Sequence, residues 1–203
     1  MQAIGSVMTF CMNLVLGGFG VDAMNVFGIY FKLQSFILMP IFGLNNGMVP
    51  IIAYNYGARK RERVMQTIRL SAFAAMAYML LGLTAFHAFP TQLLSIFNAS
   101  EQMVEIGCTA LRIISLSYLF AGFCIVTGAV CQALGKSIYS LFSSMGRQLV
   151  VLIPAAYLLS LTGSVRAVWW AFPIAELASL ALSALFMIIV LKKVMPKNEF
   201  LSE

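Results

Sequence analysis

The sequence predicts an all-α integral membrane protein, a bundle of six transmembrane helices. Two observations predict this class. The chain of 203 residues is 61% hydrophobic and only 10% charged, whereas a soluble domain carries about 25% charged residues. Its apolar residues also form long runs, and about 20 apolar residues are enough for an α-helix to cross a bilayer. We therefore expect a lipid bilayer around the chain.

Six apolar segments have this length or come close to it. We expect spans at about 2–19, 24–54, 70–89, 104–134, 138–160 and 167–191. The second and fourth exceed what a bilayer requires, so they are expected to tilt or to project into water. Between spans three and four, the stretch PTQLLSIFNAS predicts a short interfacial helix. Asn98 or Ser100 can then cap the span that follows.

Basic residues are distributed very unevenly between the two sides of the predicted membrane. One side receives nine of them: Arg59, Lys60, Arg61, Arg63, Arg69, Lys136, Lys192, Lys193 and Lys197. The other side has only Arg166, together with Asp22, His87, Glu101 and Glu105. Because Lys and Arg concentrate in cytoplasmic loops, we expect the loop after span two and the tail 192–203 to be cytoplasmic.

The composition argues against nucleic-acid binding and against catalysis. The net charge of +6 comes from residues between long apolar runs, so no nucleic-acid partner is expected. The sequence has one His and neither an H-E-x-x-H nor a G-x-S-x-G motif, so we do not expect an enzyme. Its four cysteines lie in apolar runs without a C-x-x-C pair. Neither a metal site nor a cofactor is therefore expected.

Four ionisable residues remain inside the predicted spans: Lys32, Arg112, Arg147 and Glu176. A charge at the centre of a membrane helix costs at least about 2.5–3.5 kcal/mol, so each is a candidate for function. Arg112 and Arg147 are expected to be structural charges that hold the helices together. The same role stays open for Lys32 and Glu176, which are also candidates for a substrate or ion pathway.

Span two carries a line of polar and small residues along one face. At about 100° per residue, this span-two stripe comprises Lys32, Ser35, Met39, Gly43 and Asn46. A polar stripe inside a membrane is expected to face protein or a cavity. The candidates for a substrate or ion pathway are therefore four: Lys32 and Asn46 from this stripe, together with Gln34 and Glu176.

The stretch FGLNNGMVPIIAYNYGARKRERV, Phe42 to Val64, closely resembles the end of the eighth helix and the following loop in the multidrug and toxic compound extrusion (MATE) family. The specific part is the spacing of Gly43, Gly47, Pro50 and the pair Gly57-Ala58, and the basic loop begins directly after it at Arg59. Later stretches, ALRIISLSYLF, GAVCQALGKS and VWWAFPIAE, resemble the family's tenth helix, its next loop and its twelfth helix. The resemblance covers nearly the whole chain.

The resemblance implies that this chain is one lobe of a larger transporter. Proteins of the family have twelve helices in two lobes of six, and this chain resembles the C-terminal lobe only. Its first span begins at residue 1 without a polar lead-in, as though inside the seventh helix. A missing N-terminal lobe is therefore an expected partner.

The resemblance also implies a function, multidrug efflux at the plasma (inner) membrane. Amphipathic, often cationic, drug-like compounds would leave in exchange for H⁺ or Na⁺ by alternating access. A flippase of lipid-linked sugars from the same superfamily and a fragment without transport activity are the alternatives. Several branches of the family carry coupling acids in the seventh and tenth helices, but spans one and four have none at mid-membrane. The coupling acid is then Glu176 or lies in the missing lobe.

The glycines of the signature have a physical interpretation of their own. Gly43 and Gly47 form a G-x-x-x-G step, which lets a neighbouring helix approach closely. Gly57 is expected to end its helix in a left-handed conformation. Arg59 and the basic residues after it are expected to hold that end in the headgroup layer.

Overall fold

The computed structural model describes residues 2–194, and this range is helical almost throughout. The elements are α1 (Gln2–Gly17), α2 (Val21–Gly57), α3 (Arg61–Ala88), α4 (Pro90–Ser95), α5 (Glu101–Ser115), α6 (Tyr118–Ala133), α7 (Ser137–Met145), a π-helical segment (Gly146–Leu152), α8 (Ile153–Ser160), α9 (Val165–Trp169) and α10 (Ala171–Val194). Most of the predicted tail 192–203, including Lys197, lies outside the described residues. The predicted all-α membrane class is confirmed.

Four helical stretches of the described chain are long and apolar enough to cross a membrane. They are α2, α3, the continuous stretch Ser137–Ser160 and the stretch Val165–Val194. Helices α5 and α6 make a fifth if they count as one span bent by 52°. Helix α1 coincides with the predicted first span, but its apolar part Ala3–Gly17 is shorter than the others. A crossing by α1 therefore stays a prediction.

The bend between α5 and α6 replaces the straight span that we expected over 104–134. At this point Leu116 N donates to Ile113 O at 3.2 Å and Ser117 N to Ile114 O at 3.0 Å. The hydroxyls of Ser115 and Ser117 also donate to backbone carbonyls three residues earlier. Side-chain bonds of this kind compete with the helical ladder. Two serines therefore accompany a break that no proline marks.

The connection between α3 and α5 agrees with the sequence. Helix α4 is the predicted short helix. The Oγ atom of Ser100 accepts a hydrogen bond from Met103 N at 3.3 Å, so Ser100 is the cap of α5. Asn98, the alternative cap, instead has a left-handed backbone with φ of 50°.

The end of α2 has the expected geometry at a different residue. Gly57 is the last helical residue, and the left-handed position falls on Arg59, with φ of 55°. Lys60 N donates to Asn55 O at 2.9 Å, and Arg59 N to Tyr56 O at 3.0 Å. This pair of bonds is the Schellman pattern. The expectation for Gly57 is wrong because the chain keeps turning for two more residues before the left-handed position closes the helix.

A close contact between two helix backbones lies away from the G-x-x-x-G step. A Cβ atom on Gly122 of α6 would stand 3.1 Å from the backbone carbonyl atoms of Ala75 on α3. Gly43 and Gly47 are exposed on α2, and a Cβ atom on either would have no neighbour within 4 Å. Within the described residues, Gly122 therefore makes a close helix contact, and the packing expected at the G-x-x-x-G step stays a prediction.

Candidate functional site

A cavity of about 510 Å³ opens inside the helical bundle. Its walls come from α1, α2, α6, α7, the π-helical segment and α10. Pockets of roughly 300–1,000 Å³ suit small molecules of drug size. Both apolar and polar side chains line it, and the polar ones include Gln34, Asn45, Asn46, Ser117, Gln132, Ser140, Ser143, Ser144, Arg147, Gln148, Glu176 and Ser179.

An ion pair lies in the wall of this cavity. Arg147 of the π-helical segment donates from Nη1 to Oε2 of Glu176 on α10, at 3.0 Å. The two side chains differ in exposure, 32% for Arg147 and 6% for Glu176. The other carboxylate oxygen, Oε1, is buried without a hydrogen-bond partner in the described chain. The cation therefore faces the cavity, and the anion is covered.

Local sequence features bring the two charges together. A Cβ atom on Gly146 would be 3.2 Å from Leu182 Cδ1, so the glycine lets α10 pack closely against the π-helical segment. One turn earlier, Ser143 Oγ and Ser183 Oγ form a hydrogen bond of 3.1 Å between α7 and α10. These two contacts fix the distance between the helices that carry Arg147 and Glu176. π-Helical segments occur frequently at functional sites.

Three of the four pathway candidates line the cavity, namely Gln34, Asn46 and Glu176. Lys32 does not, because its exposed side chain places Nζ 5.7 Å from the ring centroid of Phe97. That arrangement is a cation–π contact. The prediction that the span-two stripe faces protein or a cavity agrees with the position of Asn46, and for the other members it stays a prediction. Its members are exposed within the described chain, and only Asn46 reaches the cavity.

The two predicted structural charges have different surroundings. Arg147 is paired as described, whereas Arg112 is exposed on α5 and does not line the cavity. The signature residues Pro50, Gly57, Ala58 and Arg59 are exposed in the last two turns of α2 and in the turn after it, and they also do not line the cavity. The signature therefore marks a helix end, and the chemistry of the cavity lies elsewhere.

Sequence reasoning did not identify the serines of α7. Ser140, Ser143 and Ser144 line the cavity on the same wall as Arg147 and Gln148. Their spacing of three and four residues places them on one helical face. This periodicity is visible in the stretch SIYSLFSSMGRQ and indicates a polar stripe that ends at Arg147.

Comparison with known proteins decides the family. The sequence model of the MatE family matches residues 1–158. The chain belongs to the MatE family. Among curated relatives of this MatE chain, the multidrug export protein MepA of Staphylococcus aureus (strain bovine RF122 / ET3-1) is 26% identical over 181 residues, which are 89% of this chain and 40% of MepA. MepA of Staphylococcus saprophyticus is 27% identical over 199 residues, 95% of this chain and 42% of that protein.

Solved structures of MatE proteins show the same fold. An inward-facing multidrug resistance MATE family transporter of the MOP superfamily superposes with a TM-score of 0.90 at 20% identity, over 97% of this chain and 46% of that one. The Vibrio cholerae MATE transporter VcmN, in its bent form, superposes with a TM-score of 0.89 at 19% identity, over 98% of this chain and 45% of that one. Such structures have twelve helices in two lobes. This chain spans about 40% of the length of the curated relatives and about 45% of the structures.

Proposed function

We propose that this chain is the C-terminal lobe of a multidrug efflux transporter that exports amphipathic compounds in exchange for H⁺ or Na⁺. The observation that carries the proposal is a drug-sized cavity with one ion pair in an otherwise neutral wall. The MatE family and the multidrug export relatives support it. Members of this family are transporters, so we propose no catalytic role.

In an alternating-access mechanism, the cavity and Glu176 would have different roles. Two lobes rock around a site near the middle of the membrane, and the cavity is this lobe's wall of that site. One cation moving inward supplies about 2.3 kcal/mol per 100 mV of membrane potential. Glu176 is the acid that lines the cavity. A cation that reaches Glu176 would weaken its bond to Arg147 and thereby change the contact between α10 and the π-helical segment.

Export from cells tests the proposal. The chain would be expressed with and without a MatE N-terminal lobe, and efflux of a fluorescent amphipathic dye would be followed. We expect efflux only from the two-lobe protein, because the chain alone supplies one wall of the site. Collapse of the proton gradient by a protonophore, or removal of external Na⁺, should abolish it and thereby identify the ion. Efflux that persists without either gradient, or from the chain alone, would contradict the proposal.

We also propose that the loop after α2 and the end of α10 face the cytoplasm. The support is the excess of basic residues at these helix ends. Cysteines at the exposed positions Ala58 and Gln92, in a background without the four native cysteines, would be exposed to an impermeant thiol reagent on intact cells. We expect labelling of Gln92→Cys only, and labelling of Ala58→Cys after permeabilisation. The reverse pattern would overturn the orientation.

A further inference from the structure

The turn between α2 and α3 carries a group of cations that the proposed transport function does not use. We call Arg59, Lys60, Arg61 and Arg63 the turn cluster, and Glu62 is the one acid among them. Arg59, Lys60 and Arg63 are exposed, whereas Arg61 is half-buried. In the described part of the chain, no carboxylate forms a salt bridge with any member of the turn cluster. Three exposed positive charges therefore lack a counter-charge from the described protein.

The backbone around the turn cluster adds to this positive charge. The carbonyl groups at the end of α2 are satisfied by backbone N–H groups of the turn, for example Asn55 O by Lys60 N at 2.9 Å. Helix α3 begins at Arg61 without a side-chain cap, and the first N–H groups of a helix have no partner inside the helix. The positive end of the α3 dipole therefore lies at the turn.

Apolar side chains next to the turn cluster face outward. On α3, the exposed Leu70 follows Arg63 by seven residues, which is two turns along nearly the same face. On α2, Ile51 and Tyr54 are exposed within the last two turns of the helix. Both helices are long and apolar enough to cross a membrane. The turn therefore lies at a membrane surface, with apolar side chains directly below its cations.

We infer that the turn cluster binds the headgroup of an anionic phospholipid, whose acyl chains lie along Leu70 and Tyr54. The phosphate oxygens of a lipid accept charge-assisted hydrogen bonds from arginine and lysine. Groups of basic residues directly beside a membrane helix are typical of contacts with anionic lipids. A zwitterionic lipid offers the same phosphate but also carries a cation, which the turn cluster repels. The site therefore selects for headgroups with a net negative charge.

The end of α10 offers a comparison with the same sign of charge. Lys192 and Lys193 are exposed there, but they lie in the last turn of their helix, where the dipole is negative. Consecutive residues of a helix also point about 100° apart, so the two ammonium groups do not converge on one headgroup. This lysine pair should therefore be a weaker site for an anionic lipid than the turn cluster.

Lipid binding to the full 203-residue chain tests the inference. The protein would be purified in a non-ionic detergent and titrated with phosphatidylglycerol or with phosphatidylcholine of identical acyl chains. Native mass spectrometry would give the dissociation constant of the first bound lipid. Glycerophosphoglycerol, which is the anionic headgroup without acyl chains, is the third probe. The measurement depends neither on transport nor on which side of the membrane the turn faces.

We expect wild-type protein to bind phosphatidylglycerol about tenfold more tightly than phosphatidylcholine. Arg59→Gln/Arg63→Gln should weaken phosphatidylglycerol binding about 30-fold, since each basic residue at a membrane surface contributes about a factor of five. The matched variant Lys192→Gln/Lys193→Gln removes the same net charge and should weaken it less than about threefold, because the dipole of α10 already opposes binding there. Glu62→Gln removes the acid of the turn and should strengthen binding.

Equal weakening in the two double variants, or equal affinity of the wild type for the two lipids, would overturn the inference. Glycerophosphoglycerol that binds as tightly as the lipid would assign the turn to a soluble anion and would overturn it too. Circular dichroism checks that each variant folds. If Arg59→Gln/Arg63→Gln does not fold, Lys60→Gln should still weaken phosphatidylglycerol binding about fivefold, and an unchanged affinity would contradict the inference.

Discussion

Arg147→Gln should destabilise the folded lobe by about 3–5 kcal/mol, because it leaves a covered carboxylate inside the membrane without its cation. Glu176 is only 6% exposed, and its Oε1 already lacks a hydrogen-bond partner in the described chain. Glu176→Gln should cost less, since the half-buried guanidinium of Arg147 can turn toward the cavity. The free energy of unfolding, measured by denaturant titration in mixed micelles, would show this asymmetry.

The double variant Arg147→Gln/Glu176→Gln provides the decisive comparison. Replacement of both members of a buried ion pair is often close to neutral, so the double variant should be more stable than Arg147→Gln alone. Glu105→Gln is a suitable control because Glu105 is an exposed acid near the start of α5, and it should change stability by less than about 0.5 kcal/mol. Equal losses in all variants would show that the pair does not stabilise the lobe.

Gly122→Ala should destabilise the lobe by about 1–3 kcal/mol, the usual cost of overpacking. The added methyl group would stand 3.1 Å from the backbone C and O atoms of Ala75 and 3.2 Å from Met76 N. Backbone atoms cannot turn away as a side chain can, so α3 and α6 would have to separate. The melting temperature of the purified protein, followed by tryptophan fluorescence, would report the loss.

The matched control is Gly43→Ala, which makes the same chemical change at an exposed position of α2. Apart from its own helix backbone and chain neighbours, no atom of the described residues lies within 4 Å of the Cβ that it would add. Ala is the better helix former, so the variant should be at least as stable as the wild type. A larger loss for Gly43→Ala than for Gly122→Ala would contradict the contact between α3 and α6.

Hydropathy was sufficient to predict the fold class and the approximate positions of the helices, because each helix needs a long apolar run to cross a bilayer. It could not predict which face of α2 points inward. This helix is apolar around most of its circumference, so its sequence has little periodicity from which to orient it. Lys32 consequently faces outward toward Phe97, whereas Gln34, two residues later, lines the cavity.

The candidate site was also predicted only in part, because its charges are visible in the sequence and their pairing is not. Glu176 stood out because a charge in an apolar helix is costly, and Arg147 stood out in the same way. Their pairing depends on the packing of α10 against the π-helical segment at Gly146. That packing brings together residues 29 positions apart, a distance that no local pattern can indicate. The serines of α7 were visible as a stripe, but only the cavity shows which way it points.

The π-helical segment has a consequence for the helix that follows it. Its hydrogen bonds join residues five apart and therefore accommodate an extra residue compared with an α-helix. One inserted residue turns the rest of a helix by about 100°. Arg147 faces the cavity, whereas α8, with Ala156 buried, packs against α1. A relative with a regular α-helix here would need one residue fewer to keep the helix faces before and after this point in the same orientation, so its alignment with this chain should show a single-residue gap between Gly146 and Leu152.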